Sequence, residues 1–401
     1  MDADHQGGEH QAGRDLSAML ERTRASTAAR VEHAPLIVRR IDAIPVALPL
    51  KAPMKMAGVT ITKAENLIVR VELQDGLAGW GEAPSAPTMT GDTLGSLVAA
   101  VRDYLAPLLI GKEIGLKHDH RPMLRRALVG NTGAHSAIEM ALLDAACRAT
   151  NSRLIDVSMK TPARTAVRPM WLLGNATVEE DIAEAQAKLR EGFNFFKLKI
   201  GVKPLRDEIA AAHAIREALP GATLCADANC GLTLAAAKRY AERTRDARLT
   251  FVEQPLPADD LAGLKALARA TRTPIGMDES IHSLGDIETT KRAGAKGVSL
   301  KLIKLGGFRE AIAAGKLCRT LGLKINVAAK IAESSLGTAA AVHLACAVPN
   351  VAWGVSLTNM YLAEDIVRRP IAIADGKVAL PDGPGLGVEV DEAAIARFRA
   401  Q

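Results

Sequence analysis

Three acidic residues each end a short apolar run, and they recur at nearly equal spacing. Asp227, Glu253 and Asp278 are separated by 26 and 25 residues. One βα unit has about that length, so the three carboxylates are expected to converge from neighbouring parallel strands. Three hard oxygen ligands without Cys or His suit Mg²⁺, with Mn²⁺ as a second candidate. The alternative is that each acidic residue only caps the helix that follows it.

Two lysines two positions apart precede these carboxylates. Lys197 and Lys199 alternate with apolar residues, so both side chains point to the same face of a strand. The apolar neighbours are expected to pack outward against helices, which places both ammonium groups inside a barrel. Repulsion between neighbouring ammonium groups permits a lowered pKa for one of them, which is the usual route to a lysine general base.

A further lysine is predicted on the opposite side of the barrel. Lys301 lies between Leu300 and Leu302, four predicted strands after the lysine pair. Strands two and six of an eight-stranded barrel lie across from each other. Lys199 and Lys301 should therefore face one another over the carboxylates. In the alternative interpretation each lysine simply pairs with a barrel carboxylate.

The elements that must hold these residues can be read from the second half of the chain. Beyond Arg168, short apolar runs alternate with longer amphipathic helices, which is typical of a parallel barrel. The eight expected strands are 170–173, 195–200, 223–227, 249–253, 274–278, 298–302, 324–327 and 351–355. The predicted fold class is α/β, with a (β/α)7β TIM-like barrel.

A smaller domain is expected before the barrel. Residues 36–50, 66–74 and 77–83 have strand patterns with an Asp75-Gly76 hairpin turn, and helical periodicity follows over 92–110 and 135–149. We expect an α+β capping domain over 35–160, the barrel over 161–365, and a segment over 366–401 that returns to the capping domain. Residues 1–34 are expected to be a mobile extension or an oligomer contact.

Composition narrows the function classes. The chain has 401 residues, of which 48% are hydrophobic, and this is enough for a large core. The net charge of +6 is spread along the chain and aromatic residues are only 3%, so nucleic-acid binding has little support. No apolar stretch approaches the length of a membrane span. The five cysteines are odd in number and do not form a paired framework in the sequence, which favours a reducing cytoplasm. The mild positive charge either favours a small anionic substrate or only aids solubility. A homo-oligomer is expected.

Together these motifs resemble the muconate-lactonizing subgroup of the mandelate racemase/muconate lactonizing enzyme family, in the enolase superfamily. The matching segments are Lys197-x-Lys199, Asp227-x-Asn229, Glu253-Gln254-Pro255, Asp278-Glu279-Ser280, Lys301-x-x-Lys304-x-Gly306-Gly307 and Gly79-Trp80-Gly81-Glu82-Ala83. The resemblance covers residues 36 to 398. The motifs taken together are specific for this subgroup, although no single motif would be.

The resemblance implies a Mg²⁺-dependent racemase, epimerase or cycloisomerase that removes the proton alpha to a substrate carboxylate through an enolate. The roles it implies are metal binding for Asp227, Glu253 and Asp278, acid/base catalysis for Lys199 and Lys301 with Lys197 beside the base, and substrate binding for Asn229 and Glu333. A dehydratase on the same scaffold is the alternative enzyme. A non-catalytic binding protein is the more remote alternative.

Some positions depart from the family pattern. Many dipeptide epimerases of the subgroup have Asp-x-Asp at the end of strand eight. This chain has no such motif in Trp353-Gly354-Val355-Ser356-Leu357, and this counts against a dipeptide substrate. Lys330 stands where relatives seldom carry a cation. It is expected either to bind a distal anionic group of the substrate or to be a surface lysine paired with Glu333. Specificity is also expected to depend on the capping loop over 54–60.

Overall fold

The computed structural model describes residues 34–56, 59–159 and 161–400. The extension expected over 1–34 lies outside these residues apart from residue 34. Residues 57–58, which belong to the loop expected to govern substrate specificity, also lie outside the described residues.

The first part of the chain forms a four-stranded sheet with helices on it. Its strands are β1 (Leu36–Met56), β2 (Val59–Leu73), β3 (Ala78–Pro84) and β4 (Glu113–Ile114), in the order β3-β2-β1-β4. The β2–β3 hairpin turns at Asp75-Gly76 as predicted, and Gly76 has a φ of 88° that favours glycine. The long strands 36–50 and 66–74 were therefore correctly placed, although both extend further than predicted.

Four helices accompany this sheet: α1 (Leu94–Ala99), α2 (Ala106–Leu109), α3 (Arg121–Ala127) and α4 (Thr132–Ala149). The single helix predicted over 92–110 is continuous but contains a π-helical stretch, Ala100–Leu105, between α1 and α2. Gly79 and Gly81 on β3 lie directly against α4, where an added Cβ would collide with the backbone of Ala141 and Ala137. These two glycines allow the sheet and the helix to approach closely.

Eight parallel strands form the barrel. They are β6 (Trp171–Leu173), β7 (Phe195–Lys199), β8 (Thr223–Asp227), β9 (Val252–Glu253), β10 (Ile275–Met277), β11 (Gly297–Leu300), β12 (Lys324–Ala328) and β13 (Val355–Ser356). They follow one another around the sheet in sequence order. The Met170 amide donates to the Val355 carbonyl at 2.8 Å, which connects the last strand to the first.

Helices cover the outside of the barrel. They are α5 (Val178–Arg190), α6 (Leu205–Ala218), α7 (Leu234–Arg243), α8 (Leu261–Ala270), α9 (Leu284–Ala293), α10 (Leu302–Leu305), α11 (Phe308–Thr320) and α12 (Ser335–Ala347). Each connection from β6 to β13 contains at least one helix. The (β/α)7β barrel with an N-terminal antiparallel sheet domain is thus confirmed.

Several predicted barrel strands differ from the observed bounds by one residue at an end, and three differ by more. The run 298–302 ends at Leu300 because α10 begins at Leu302, and only Val252–Glu253 of the run 249–253 is strand. The run 351–355 barely overlaps β13, because Gly354 has a φ of 77° and interrupts the extended backbone. The ring of Trp353 instead stacks on Phe251, with ring centroids 4.2 Å apart, and fills the interior beneath the strand ends.

The last part of the chain contacts both the barrel side and the first sheet. Strand β14 (Val378–Ala379) pairs antiparallel with β5 (Ala166–Val167), and helix α13 (Glu392–Arg397) follows. The Ala47 amide of β1 donates to the Phe398 carbonyl at 2.9 Å. Residues Ile37–Gln401 form one compact unit, so the domain boundaries at 160 and 365 stay a prediction. None of the described helices combines the length and the apolar character required to cross a bilayer.

Candidate active site

The three carboxylates meet at the carboxyl ends of consecutive strands. Asp227 ends β8 and is the register partner of Glu253 on β9, while Asp278 follows β10, which pairs with β9. Their exposed fractions are only 3%, 1% and 2%. The expected convergence is therefore present in the fold. Side chains buried to this degree must be compensated by cations or hydrogen-bond donors.

Lysine ammonium groups are the partners of these carboxylates. Lys199 Nζ lies 2.6 Å from Asp227 Oδ2, and Lys301 Nζ lies 2.6 Å from Asp278 Oδ2. Lys197 pairs with Glu253 Oε2. In this arrangement no three His, Cys, Asp or Glu side chains of the described residues are close enough together to hold a metal ion. The alternative in which the lysines pair with barrel carboxylates is thus visible in the geometry.

The charges in this cluster shift several pKa values. Burial opposes the charged form of Lys197, yet Glu253 and Asp227 outweigh burial and raise the Lys197 pKa. Burial alone would raise the pKa of Asp278, but Lys301 and Lys304 hold it well below its usual range. One lysine of the pair was expected to have a lowered pKa. Lys197 does not, because two carboxylates face it.

Two residues that support the carboxylates were not predicted. Lys304 has no exposed surface, and its Nζ lies 2.6 Å from Asp278 Oδ1 and 3.1 Å from the Ser299 carbonyl. Ser299 Oγ donates to Glu253 Oε1. Ser299 precedes Lys301 by two positions, so the same-face rule applied to Lys197 and Lys199 would have found it. For Lys304, the only indication in the sequence was its place in the Lys301-x-x-Lys304-x-Gly306-Gly307 motif.

Asn229 connects the lysine side of the cluster to another acid. Its Oδ1 accepts from Lys199 Nζ, and its Nδ2 donates to Glu279 Oε1 at 2.9 Å. The other oxygen of Glu279 is buried and has no hydrogen-bond partner among the described residues. Burial, followed by the charges of Asp278 and Asp227, raises the pKa of Glu279 to about 7. An unpartnered carboxyl oxygen beside two further carboxylates fits a cation at this position.

A cavity of about 70 Å³ opens above the cluster. The charged or polar side chains that line it are those of Lys197, Lys199, Asp227, Asn229, Asp278, Lys301, Lys330, Ser356, Thr358 and Tyr361. Met89, in the segment after β3, covers one side, and its sulfur lies 3.7 Å from Lys301 Nζ. The segment that follows the first sheet therefore contributes directly to the wall of the cavity.

Lys330 lies in the wall of this cavity, after β12. Its amide donates to Glu333 Oε1 at 2.9 Å, and its carbonyl accepts from Thr358 Oγ1 at 2.9 Å. Burial, and then the charge of Lys301, lower the pKa of Lys330 to about 8. Burial and the nearby Glu82 raise the pKa of Glu333 to about 8. Glu333 thus contacts the backbone of Lys330 rather than its ammonium group.

Comparison with known proteins agrees with this architecture. Residues 39–157 match the mandelate racemase/muconate lactonizing enzyme N-terminal domain, and residues 180–394 match the enolase C-terminal domain-like family. Muconate cycloisomerase 1 of Rhodococcus opacus is 32% identical over 354 residues, which cover 87% of this chain and 94% of that protein. The L-Ala-D/L-Glu epimerase of Bacillus subtilis (strain 168) is 32% identical over 357 residues, which cover 87% of this chain and 96% of that protein.

A solved structure gives the same result. The muconate lactonizing enzyme of Pseudomonas fluorescens complexed with muconolactone superposes with a TM-score of 0.87 and 29% identity, covering 92% of this chain and 100% of that chain. The chain therefore belongs to the mandelate racemase/muconate lactonizing enzyme family, in the muconate-lactonizing subgroup of the enolase superfamily, and is an isomerase. Enzymes of this family generally depend on a divalent metal ion.

Proposed function

We propose that this protein transfers a proton at the carbon alpha to a carboxylate, as a racemase or epimerase or in a mechanistically related cycloisomerization. The observation that carries the proposal is the placement of two lysines on opposite strands. Lys199 ends β7, Lys301 follows β11, and each contacts a different buried carboxylate. Three strands lie between β7 and β11 on either side of the ring, so the two ammonium groups approach the cavity from opposite sides.

Asp227, Glu253 and Asp278 would hold Mg²⁺, with Mn²⁺ as the other candidate. The donor set consists of carboxylate oxygens, which these ions prefer, and the buried Glu279 oxygen without a partner among the described residues is a further oxygen donor beside it. When bound, the ion neutralises the charge that develops on the substrate carboxylate as the alpha proton leaves.

The lysines would move the proton. Nζ of Lys199 takes the alpha proton on one face of the substrate, and Nζ of Lys301 returns one on the other face, which inverts the centre. For the other enantiomer, Lys301 takes the alpha proton and Lys199 returns one. Asn229 holds Lys199 through its Oδ1, and Lys197 adds positive charge beside that lysine. Asn229 and Lys330, which line the cavity, would contact the substrate. Glu333, for which substrate binding was also expected, is not among the lining residues and would position Lys330 through its backbone amide. The cytoplasmic location and the homo-oligomer stay predictions.

The test is alpha-deuterium incorporation in D₂O, with Mg²⁺ present. The panel contains N-acyl amino acids, proline derivatives, dipeptides and muconate, and each chiral substrate is tried as both enantiomers. Lys199→Ala should stop net inversion because one face lacks a proton donor, while Lys301 still exchanges the proton that faces it. Lys301→Ala should exchange only the opposite enantiomer. Lys238→Ala, an exposed lysine on α7, is the matched control.

The result can also contradict the two-base mechanism. If one variant loses exchange for both enantiomers while the other exchanges normally, a single lysine acts as base. Cycloisomerization, or dehydration with the second lysine protonating a leaving hydroxyl, would then replace racemization. Metal binding without exchange on any substrate would indicate a binding protein.

A further inference from the structure

The turn that carries Lys301 is short and buried. Lys301 directly precedes α10, and the four residues of this single-turn helix are at most 7% exposed. The Gly307 amide donates to the Leu302 carbonyl at 3.1 Å and closes the turn. Lys304 lies within the turn, so one turn supplies both ammonium groups that hold Asp278. The position of the turn therefore decides where the Lys301 ammonium group meets the cavity.

A carboxylate from the first part of the chain lies against the end of this turn. Glu139, on α4, is 6% exposed, and its Oε2 accepts from the Arg309 amide at 3.2 Å. Gly307, which joins α10 to α11, lies so close that an added Cβ would collide with the same oxygen. A negative charge at the start of a helix is favourable. Glu139 thus caps α11 and fills the space beside the last residue of the turn.

Two arginines face the other oxygen of Glu139. Its Oε1 lies 3.7 Å from Arg121 Nε on α3 and 3.8 Å from Arg309 Nε on α11. Burial raises the pKa of Glu139 to about 7, although Arg121 and Arg309 oppose this rise. Arg121 also contacts Glu310 on α11, with Nη1 and Oε2 3.1 Å apart. These contacts fasten α3 and α4 to the segment that follows Lys301.

The lysine on the opposite side of the cavity is held differently. Lys199 ends β7, and its ammonium group contacts Asp227 and Asn229. Among the described residues, no hydrogen bond or ion pair joins Lys199 directly to Glu139 or to the arginines around it. A change at Glu139 should therefore affect one side of the cavity and spare the other.

We infer that Glu139 is a positioning residue for Lys301, because it fixes the α10 turn and thereby the ammonium group on one face of the substrate. The inference rests on the proposed function for the role of Lys301 as a base, but the placement of the turn does not depend on that role. Displacing a catalytic group by about 1 Å can lower the rate about 100-fold. A helix of the first domain would thus set the reactivity of one barrel lysine.

Hydrogen–deuterium exchange of backbone amides, measured by mass spectrometry on the full chain, tests the placement without a substrate. The measurement is made at pH 8, above the Glu139 pKa of about 7, so that the carboxylate is charged. Glu139→Ala should speed exchange over residues 302–309 about tenfold, because a hydrogen bond to a charged acceptor is lost. Glu139→Gln keeps an acceptor for the Arg309 amide and should speed it only about threefold. Residues 195–199 should keep their wild-type rates.

Asp144→Ala is the matched control for the amide measurement. Asp144 is a second buried carboxylate on α4, but it accepts from the Trp80 and Leu386 amides and does not contact the α10 turn. Its variant should not speed exchange over residues 302–309 more than over 195–199. Equal acceleration of both segments in Glu139→Ala, or none in either, would overturn the placement.

Alpha-deuterium incorporation with single-lysine variants measures the effect on Lys301 itself. In the Lys199→Ala background only Lys301 can remove the proton, and adding Glu139→Ala should slow exchange about tenfold. In the Lys301→Ala background the same change should alter exchange by less than about twofold, because Lys199 is held elsewhere. Asp144→Ala should not distinguish the two backgrounds.

A purely structural role of Glu139 would slow both backgrounds equally, and that result would overturn the positioning role. Unchanged exchange in the Lys199→Ala background would overturn it as well. If the wild type exchanges no substrate, the proposed function fails, and the amide measurement still decides whether Glu139 holds the turn.

Discussion

Glu253 illustrates how single residues determine this site. One of its oxygens pairs with Lys197 and the other accepts from Ser299, so both are held by partners on other strands. Asp278 is held similarly by Lys301 and Lys304, each at 2.6 Å. Mutation of a residue that orients a metal ligand typically lowers metal affinity about 10–100-fold. Ser299 and Lys304 are therefore positioning residues for the proposed metal site.

The metal assignment predicts a change in thermal stability. Mg²⁺ should raise the melting temperature of the wild type, because binding to the folded state at about 100 times Kd contributes about 2.7 kcal/mol. Asp227→Asn, Glu253→Gln and Asp278→Asn should each lose this rise while remaining folded. Ser299→Ala should keep it but require about tenfold more Mg²⁺. Unchanged Mg²⁺ titrations in all three carboxylate variants would refute the assignment.

At the scale of elements, the close contact between β3 and α4 aligns the first sheet with the barrel. Gly79 and Gly81 leave no room for a side chain against α4. The next residue, Glu82, accepts from the Ser334 amide at 2.9 Å and from the Gly337 amide at 2.7 Å, at the start of α12. The same strand thus packs on one helix and caps another. Met89, which covers Lys301, follows this strand within a few residues.

Gly81→Ala should therefore destabilise the protein. The new methyl group would meet the backbone of Ala137, which cannot move without displacing α4. Overpacking of this kind costs about 1–3 kcal/mol or more. Urea unfolding of the variant and of Gly95→Ala would measure the effect. Gly95 is exposed on α1 with open space around it, so its replacement should leave the midpoint unchanged or raise it.

At the scale of the whole molecule, one buried carboxylate joins three parts of the chain. Asp144 on α4 accepts from the Trp80 amide of β3 at 2.9 Å and from the Leu386 amide of the last segment at 2.7 Å. Arg148 Nε donates to the same carboxylate at 2.8 Å. The first sheet, its helix and the end of the chain are thereby connected within one compact unit.

Asp144→Ala should lower the free energy of unfolding by about 3–5 kcal/mol, because it leaves buried donors and Arg148 without their acceptor. Scanning calorimetry should show the transition at a lower temperature and still as a single event. The control is Asp382→Ala, which removes a side chain that is 99% exposed. An unchanged transition in Asp144→Ala would show that the connection contributes little.

The amino-acid sequence by itself determined the barrel and the composition of its centre. Alternation places Lys197 and Lys199 on one face of a strand, and the nearly equal spacing of Asp227, Glu253 and Asp278 places them on consecutive strands. These are properties of local geometry, because side chains alternate along a strand and a βα unit has a characteristic length. They can therefore be predicted without knowledge of the contacts.

The tertiary structure alone decided which groups meet. Glu82 contacts Ser334, which is 252 positions away in the chain, and Gly354 shortens the eighth strand through its φ of 77°. The tertiary structure also decided that Lys330 lines the cavity while Glu333 accepts a hydrogen bond from the Lys330 amide. Such pairings depend on rotamers and on the approach of distant segments. The periodicity of a sequence is set by neighbouring residues, so it carries no record of these long-range contacts.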